Sequence, residues 1–263
     1  MTMKLKGKVA LVTAASKGLG YACAKRLAQA GCSLAICARR EGILEEAKKN
    51  IARTTGSEVF ALQTDLSDAD MVRRFVREAY ERFGRIDILI GNTGHIPYGS
   101  IFDIEDSQWY EAFDLLVMSM VRLSREVIPI MKAHGRGDIV FIASSASREP
   151  SAHLLLSNVF RVGVVALAKT LSRELAAENI RINTVNPGYF DTGRVHGRID
   201  DLMKQKGIDR EAAVRAVAGD IPMGRIGSAG ELAELVAFIV GRKAEFLTGA
   251  TIQIDGGKAQ SLF

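Results

Sequence analysis

The chain has three cysteines, five prolines and one tryptophan in 263 residues. Cys23, Cys32 and Cys37 are odd in number and lack C-x-x-C spacing, which argues against a disulfide framework and a thiolate metal site. They sit in apolar strand or helix patterns, as buried thiols of a reducing compartment do. Proline-rich linkers and low-complexity segments are missing, so nothing divides the chain. Dense basic clusters interleaved with aromatics are missing too. The net charge of +5 is spread among residues of both signs, so nucleic acid is not an expected partner. The opening MTMKLKGK lacks the apolar stretch of a signal peptide, and no later run reads as long enough to cross a bilayer. These absences lead to the expectation of a cytoplasmic protein without membrane or nucleic-acid partners. No metal-ligand cluster is expected either.

What is present is alternation. Apolar β-rich runs recur at Val9 to Thr13, Ser33 to Ala38, Val59 to Gln63, Ile86 to Ile90, Ile139 to Ala143, Ile182 to Asn186 and Ala250 to Ile254, with helical periodicities between them. Strands apolar along their whole length, separated by helices, predict an α/β fold with a parallel sheet covered on both faces. Ser67-x-x-Asp70 and Ser228-x-x-Glu231 read as capping boxes at two helix starts. The length suits one domain spanning 1–263.

The first run breaks into VTAASKGLG, where Gly18 and Gly20 open a segment with Leu19, Ala22, Cys23, Leu27 and Ala30 on one helical face. Glycine removes side chains that would keep a diphosphate from backbone N–H groups and the positive end of a helix. A dinucleotide is the expected guest. In an open parallel sheet, ligands sit beyond the carboxyl ends of the strands, so the residues following each run belong together. After the second run, Ala38 stands where an acidic residue would bind the adenosine ribose, and Arg39 and Arg40 follow. Arginine binds a 2′-phosphate through charge-assisted hydrogen bonds, and Lys17 adds a further cation, so NADP(H) is favoured over NAD(H). After the third run, the Asp65 carboxylate of Thr64-Asp65-Leu66 is open to two readings: an adenine contact or a cap on the next helix. Gly91-Asn92-Thr93-Gly94 ends the fourth run, and Asn186-Pro187-Gly188, with Asp191 and Thr192 beyond, ends the sixth.

Taken together, TAASKGLG, GNTG, IVFIASS, NPGYFDT, IPMGRIG and TGATIQIDGG resemble the short-chain dehydrogenase/reductase family in order and spacing over essentially the whole chain. The general layout is similar to 3-oxoacyl-carrier-protein reductases. The resemblance implies a single Rossmann-type doubly wound domain with a seven-stranded parallel sheet and a homotetramer or homodimer. It implies cofactor contacts from Thr13, Ser16, Lys17, Gly18, Leu19, Gly20, Arg39, Arg40, Asp65, Leu66, Asn92, Thr93, Gly94, Arg161, Pro187, Gly188 and Thr192. It also implies a substrate lid at about 193–223; Ile199, Leu202, Met203, Ile208, Val214 and Val217 either give it an apolar inner side or simply close the domain, and Arg194, Arg198 or Lys204 are available to an anionic group.

The sequence departs from the family where chemistry is expected. The glycine turn begins Thr13-Ala14 in place of Thr-Gly, tolerable for a negative φ. The family's Asn reads Leu116, and its Tyr-x-x-x-Lys reads Ser157 and Arg161, while Ser144 is retained. No tyrosine lies between Tyr110 and Tyr189, and no lysine between Lys132 and Lys169, so no shift of alignment restores the pair. Serine is too weak an acid to replace tyrosine directly, and arginine can hold ribose hydroxyls but not relay protons. Ser144, Ser157 and Arg161 are therefore the candidate catalytic residues. Ser157 and Arg161 are expected to share one helix face, opposite an apolar stripe of Phe160, Val164, Leu167, Leu171 and Leu175. His153, Tyr189 and His95 are candidate replacement acids; His134 and His196 have weaker claims.

The expectation is an NADP(H)-dependent oxidoreductase interconverting a small-molecule carbonyl and alcohol with an altered site. Two other readings stay open: a catalytically silent nucleotide-binding regulatory or interaction protein, and a non-redox activity in the same pocket.

Overall fold

The structure is a computed structural model and describes residues 5–152 and 154–262. The seven apolar runs form strands β1 (Val9–Val12), β2 (Ser33–Ala38), β3 (Val59–Gln63), β4 (Ile88–Gly91), β5 (Gly137–Ile142), β6 (Ile180–Pro187) and β7 (Thr251–Ile254). All pair in parallel in the order β3-β2-β1-β4-β5-β6-β7. The order reverses between β1 and β4, which opens a crevice at their carboxyl ends. Two of the expected ranges match their strands. β5 and β6 start earlier than expected, because Gly137 and Asp138 pair with Ile180 and Arg181 despite their polarity.

Side-chain alternation along each strand feeds two cores. Leu11, Leu89, Ile139 and Phe141 face α3 (Ala69–Phe83), α5 (Ser119–Ala133) and α6 (Leu155–Leu175). Ala10, Val12, Ile88, Ile90 and Val140 face α1 (Gly18–Gln29), α2 (Glu41–Thr55) and α9 (Ala229–Val240). This is a doubly wound sheet, with strands buried on both faces as their continuous apolar runs require. A smaller cluster joins α7 (Gly193–Lys206) to α8 (Arg210–Gly219) through Val195, Ile199, Ala213 and Val217.

Three local expectations change. The cap of α3 is Asp68, whose carboxylate accepts from the Asp70 and Met71 N–H groups, and not Ser67. Asp68 wins because it directly precedes the helix, where its short side chain reaches both free donors. At α9 the Ser228–Glu231 capping box forms as expected. On α6, Ser157 and Arg161 lie on the same inward face as Val164, Ala168 and Leu175, all buried. These positions follow three- and four-residue spacing, so they form one stripe and not two opposed ones. The segment Leu155–Glu178 is also long and apolar enough to span a bilayer by length and composition, against the expectation from the sequence. Here its stripe lies in the core beneath β5 and β6.

Candidate active site

The turn after β1 sets one end of the site. The Thr13 hydroxyl donates to the Asn92 carbonyl at 2.6 Å and accepts from the Asn92 N–H at 2.8 Å, clasping the ends of β1 and β4 together. Ala14 follows with φ +48°. The negative φ that would make alanine easy here is not adopted, because the chain must turn sharply between β1 and α1. Alanine in the left-handed region costs about 1–2 kcal/mol. Gly20 permits the close approach that results: a Cβ there would lie 2.5 Å from the Ala14 carbonyl oxygen.

Lys17 caps α1 in extended conformation without a side-chain hydrogen bond, and the first turn of α1 has no acidic residue. Its free N–H groups face a cleft of about 1220 Å³ lined by Ser16, Lys17, Gly18 and Leu19. Unpaired helix donors opening on a cavity suit a diphosphate. Arg39 and Arg40 are exposed on the same wall. The Arg39 carbonyl is fixed by the Gln63 amide at 2.9 Å, and its guanidinium passes beside Gly94, 3.7 Å from where a Cβ would stand. The residues present therefore fit a phosphorylated dinucleotide.

Ser144 and Arg161 line the same cleft. Ser144 follows β5 and opens a short 3-10 turn, Ser145–Ser147, its Oγ accepting from the Ala146 N–H at 3.2 Å. Among the described residues, no acceptor takes its hydroxyl proton. Arg161 is 5% exposed yet lines the cleft. Its guanidinium donates to the Ile142 carbonyl at 2.8 Å and the Thr93 hydroxyl at 3.1 Å, while Nε has no partner among the described residues. Burial and the neighbouring charge of Arg194 push its pKa down to about 9, which still leaves it charged at neutral pH. An uncompensated buried cation costs several kcal/mol, tolerable only where the site has a use for it.

Of the other expected contacts, Leu66, Asn92, Thr93, Gly94, Pro187, Gly188 and Thr192 also line the cleft. Thr13, Gly20, Asp65 and Ser157 do not reach the lining. Asp65 Oδ1 instead accepts from the Ser67 N–H at 3.0 Å, bracing the turn before α3. Ser157 is 2% exposed, one turn before Arg161, with an unpartnered hydroxyl. Leu116 is fully buried in a π-helical segment, Asp114–Met118, between α4 (Asp106–Phe113) and α5.

Among the candidate acids, His95 and Tyr189 line the cleft. His95 stands on the rim, 4.9 Å from the ring of Tyr98. Desolvation by the surrounding protein, then the Arg194 charge, hold its pKa below the ordinary histidine value. Tyr189 lies beneath Arg198 and Lys258, each 5.3 Å from its ring. His134 bonds the Ile130 carbonyl at the end of α5, and His196 pairs with Asp191 at 2.6 Å; neither lines the cleft. His153 lies outside the described residues.

Tyr98 escaped the sequence reading. It lines the cleft, and its hydroxyl accepts from Arg194 Nε at 3.1 Å with the guanidinium over its ring. The available sign was its position four residues past Gly94, beyond the carboxyl end of β4.

A family model described as enoyl-(acyl carrier protein) reductase matches residues 13–259. The chain is 32% identical over 259 residues to a dehydrogenase/reductase SDR family member 4 from Oryctolagus cuniculus, covering 98% of this chain and 96% of the relative. It is 32% identical over 261 residues to the NADPH-dependent reductase BacG of Bacillus subtilis, covering 97% and 99%. Its fold superposes on L-sorbose reductase from Gluconobacter frateurii, solved with NADPH and L-sorbose, with a TM-score of 0.96 at 32% identity over 100% of both chains. By its doubly wound sheet, its glycine turn and these likenesses, the chain belongs to the short-chain dehydrogenase/reductase family.

Proposed function

We propose that this protein is an NADP(H)-dependent oxidoreductase that interconverts a carbonyl and an alcohol in one domain spanning 1–263, with α7 and α8 as a lid at about 193–223 over the substrate. The observation that carries the reading is the make-up of one cleft, lined by the N-terminus of α1, Arg39 and Arg40 together with Ser144 and Arg161. Its NADPH-bound and NADPH-dependent relatives support the choice of cofactor.

The residues take distinct roles. Thr13 and Gly20 shape the turn; Ser16 to Leu19 and the α1 N-terminus hold the diphosphate; Arg39 and Arg40 hold the 2′-phosphate. Asn92, Thr93, Gly94, Pro187, Gly188 and Thr192 wall the nicotinamide side, and Leu66 and the Asp65 turn bound the adenine side. Bound NADPH supplies the hydride that the carbonyl carbon accepts. Ser144 donates a hydrogen bond to the substrate oxygen as charge grows there, Arg161 fixes ribose or substrate, and Ser157 leaves room around it. Among the described residues, His95, Tyr98 and Tyr189 line the cleft as titratable groups able to exchange the proton.

The test is NADPH consumption at 340 nm with a panel of aldehydes and ketones. Turnover that Ser144→Ala lowers by about 10²–10³ supports the reading. Turnover without net nicotinamide change would favour non-redox chemistry. NADPH binding without turnover would favour a silent, nucleotide-binding regulatory or interaction protein, the reading that Leu116 and Ser157 in place of relay residues support.

Tyr110, Phe113, Val159 and Val162 are exposed on α4 and α6. Such a strip supports a homodimer or homotetramer, and we place the protein in the cytoplasm.

A further inference from the structure

Among the described residues, no acidic side chain pairs with the charge of Arg161. Both its hydrogen-bond acceptors are neutral, its Nε is unpartnered though buried, and the charge acting on it is another cation, Arg194. Arg194 reaches across from α7 to the Tyr98 hydroxyl, so two guanidinium groups from separate elements line the same cleft. Four of the five acidic side chains on the cleft wall are engaged elsewhere. Asp255 accepts from the Gly257 and Ala259 N–H groups, Asp200 pairs with Arg210, and Glu149 accepts from the Gln260 N–H. Asp220 lies 3.8 Å from Lys258, and Asp201 sits seven residues from Arg194 along α7.

The cofactor does not supply the missing charge under the reading above. Its phosphates fall at Arg39, Arg40 and the α1 N-terminus, and a ribose hydroxyl brings no negative charge to Arg161. The anion must come with the substrate. Arg161 bonds the carbonyl of Ile142, two residues before Ser144 on the same chain segment. Two extended residues span at most about 7 Å, so an anion on Arg161 and an oxygen on Ser144 belong to one small molecule.

We propose that the substrate is a short oxo acid, or the corresponding hydroxy acid, whose carboxylate is bound by Arg161 and Arg194 while Ser144 holds its reacting oxygen. A carboxylate takes charge-assisted N–H donors from the two guanidinium groups and offsets their mutual repulsion. This inference rests on the oxidoreductase reading for the placement of the cofactor, but the arginine pair is a property of the cleft itself.

The test is calorimetric titration with oxamate and with its uncharged analogue oxamide, on the protein alone and after loading with NADPH. Oxamate is expected to bind at least about tenfold more tightly than oxamide, the effect of one charge-assisted contact. Arg194→Ala, a change at an exposed position, should lower oxamate affinity by about tenfold and leave oxamide unchanged. Arg161→Met should do the same, and Arg161→Lys should restore part of the loss. If NADPH binds and oxamate is no better than oxamide, the oxo-acid proposal falls alone. If oxamate outbinds oxamide but NADPH does not bind, the anion site stands and the redox reading falls.

Discussion

Arg161 donates to the Thr93 hydroxyl at 3.1 Å across 68 positions of sequence, tying the inward face of α6 to the turn after β4. The bond fixes a buried cation beside the cleft by neutral acceptors alone. Thr93→Val removes one acceptor and leaves the charge, with an expected loss of about 1.5–3 kcal/mol of stability in urea unfolding. Arg161→Met removes the charge itself, so its melting temperature is expected to be no lower than that of the parent. In the Arg161→Met background, Thr93→Val should cost far less, and a double-mutant cycle measures the difference. Equal losses in both backgrounds would mean that the pair is not coupled.

Ala14 stands at φ +48°, where glycine is at ease. Ala14→Gly relieves the left-handed strain but frees the unfolded chain, for a net gain of about 0.5–1 kcal/mol and a melting temperature about 2–3 °C higher. Gly20→Ala should do the reverse, because its Cβ would meet the Ala14 carbonyl 2.5 Å away. Calorimetric melting of both variants checks the pair.

His95 is held below the ordinary histidine pKa by desolvation and then by Arg194. Between its folded value and 6.5 the unfolded chain binds more protons, so stability falls as pH drops through that window. Arg194→Ala removes the second cause, and an NMR titration of the His95 ring should show its pKa rising. An unchanged His95 titration in that variant would mean that Arg194 does not act on it.

The sheet was legible because its strands are nearly continuous apolar runs, and Ser33–Ala38 and Val59–Gln63 end where β-branched and apolar residues give way to polar ones. Elements fixed by tertiary pairing were less so: Gly137 and Asp138 extend β5 only because Ile180 and Arg181 lie alongside. The cap of α3 went to Asp68 over Ser67 by one residue of phase. The glycine turn and Ser144 could be placed from order along the chain, since the site of a parallel sheet follows strand ends. Tyr98 also follows a strand end, but its contact with Arg194 of α7, 96 positions distant, could not be read from order along the chain. Nor does sequence say that Arg161 faces inward without a counterion; that follows only from how α6 rolls against β5.

The most direct test of the cofactor assignment is parallel calorimetric titration with NADPH and NADH, in the parent and in Arg39→Ala. NADPH should bind at least about tenfold more tightly than NADH, through the charge-assisted hold on the 2′-phosphate, and the variant should lose most of that preference. Equal affinities for the two nucleotides, a preference that survives Arg39→Ala and Arg40→Ala together, or no binding of either would contradict it.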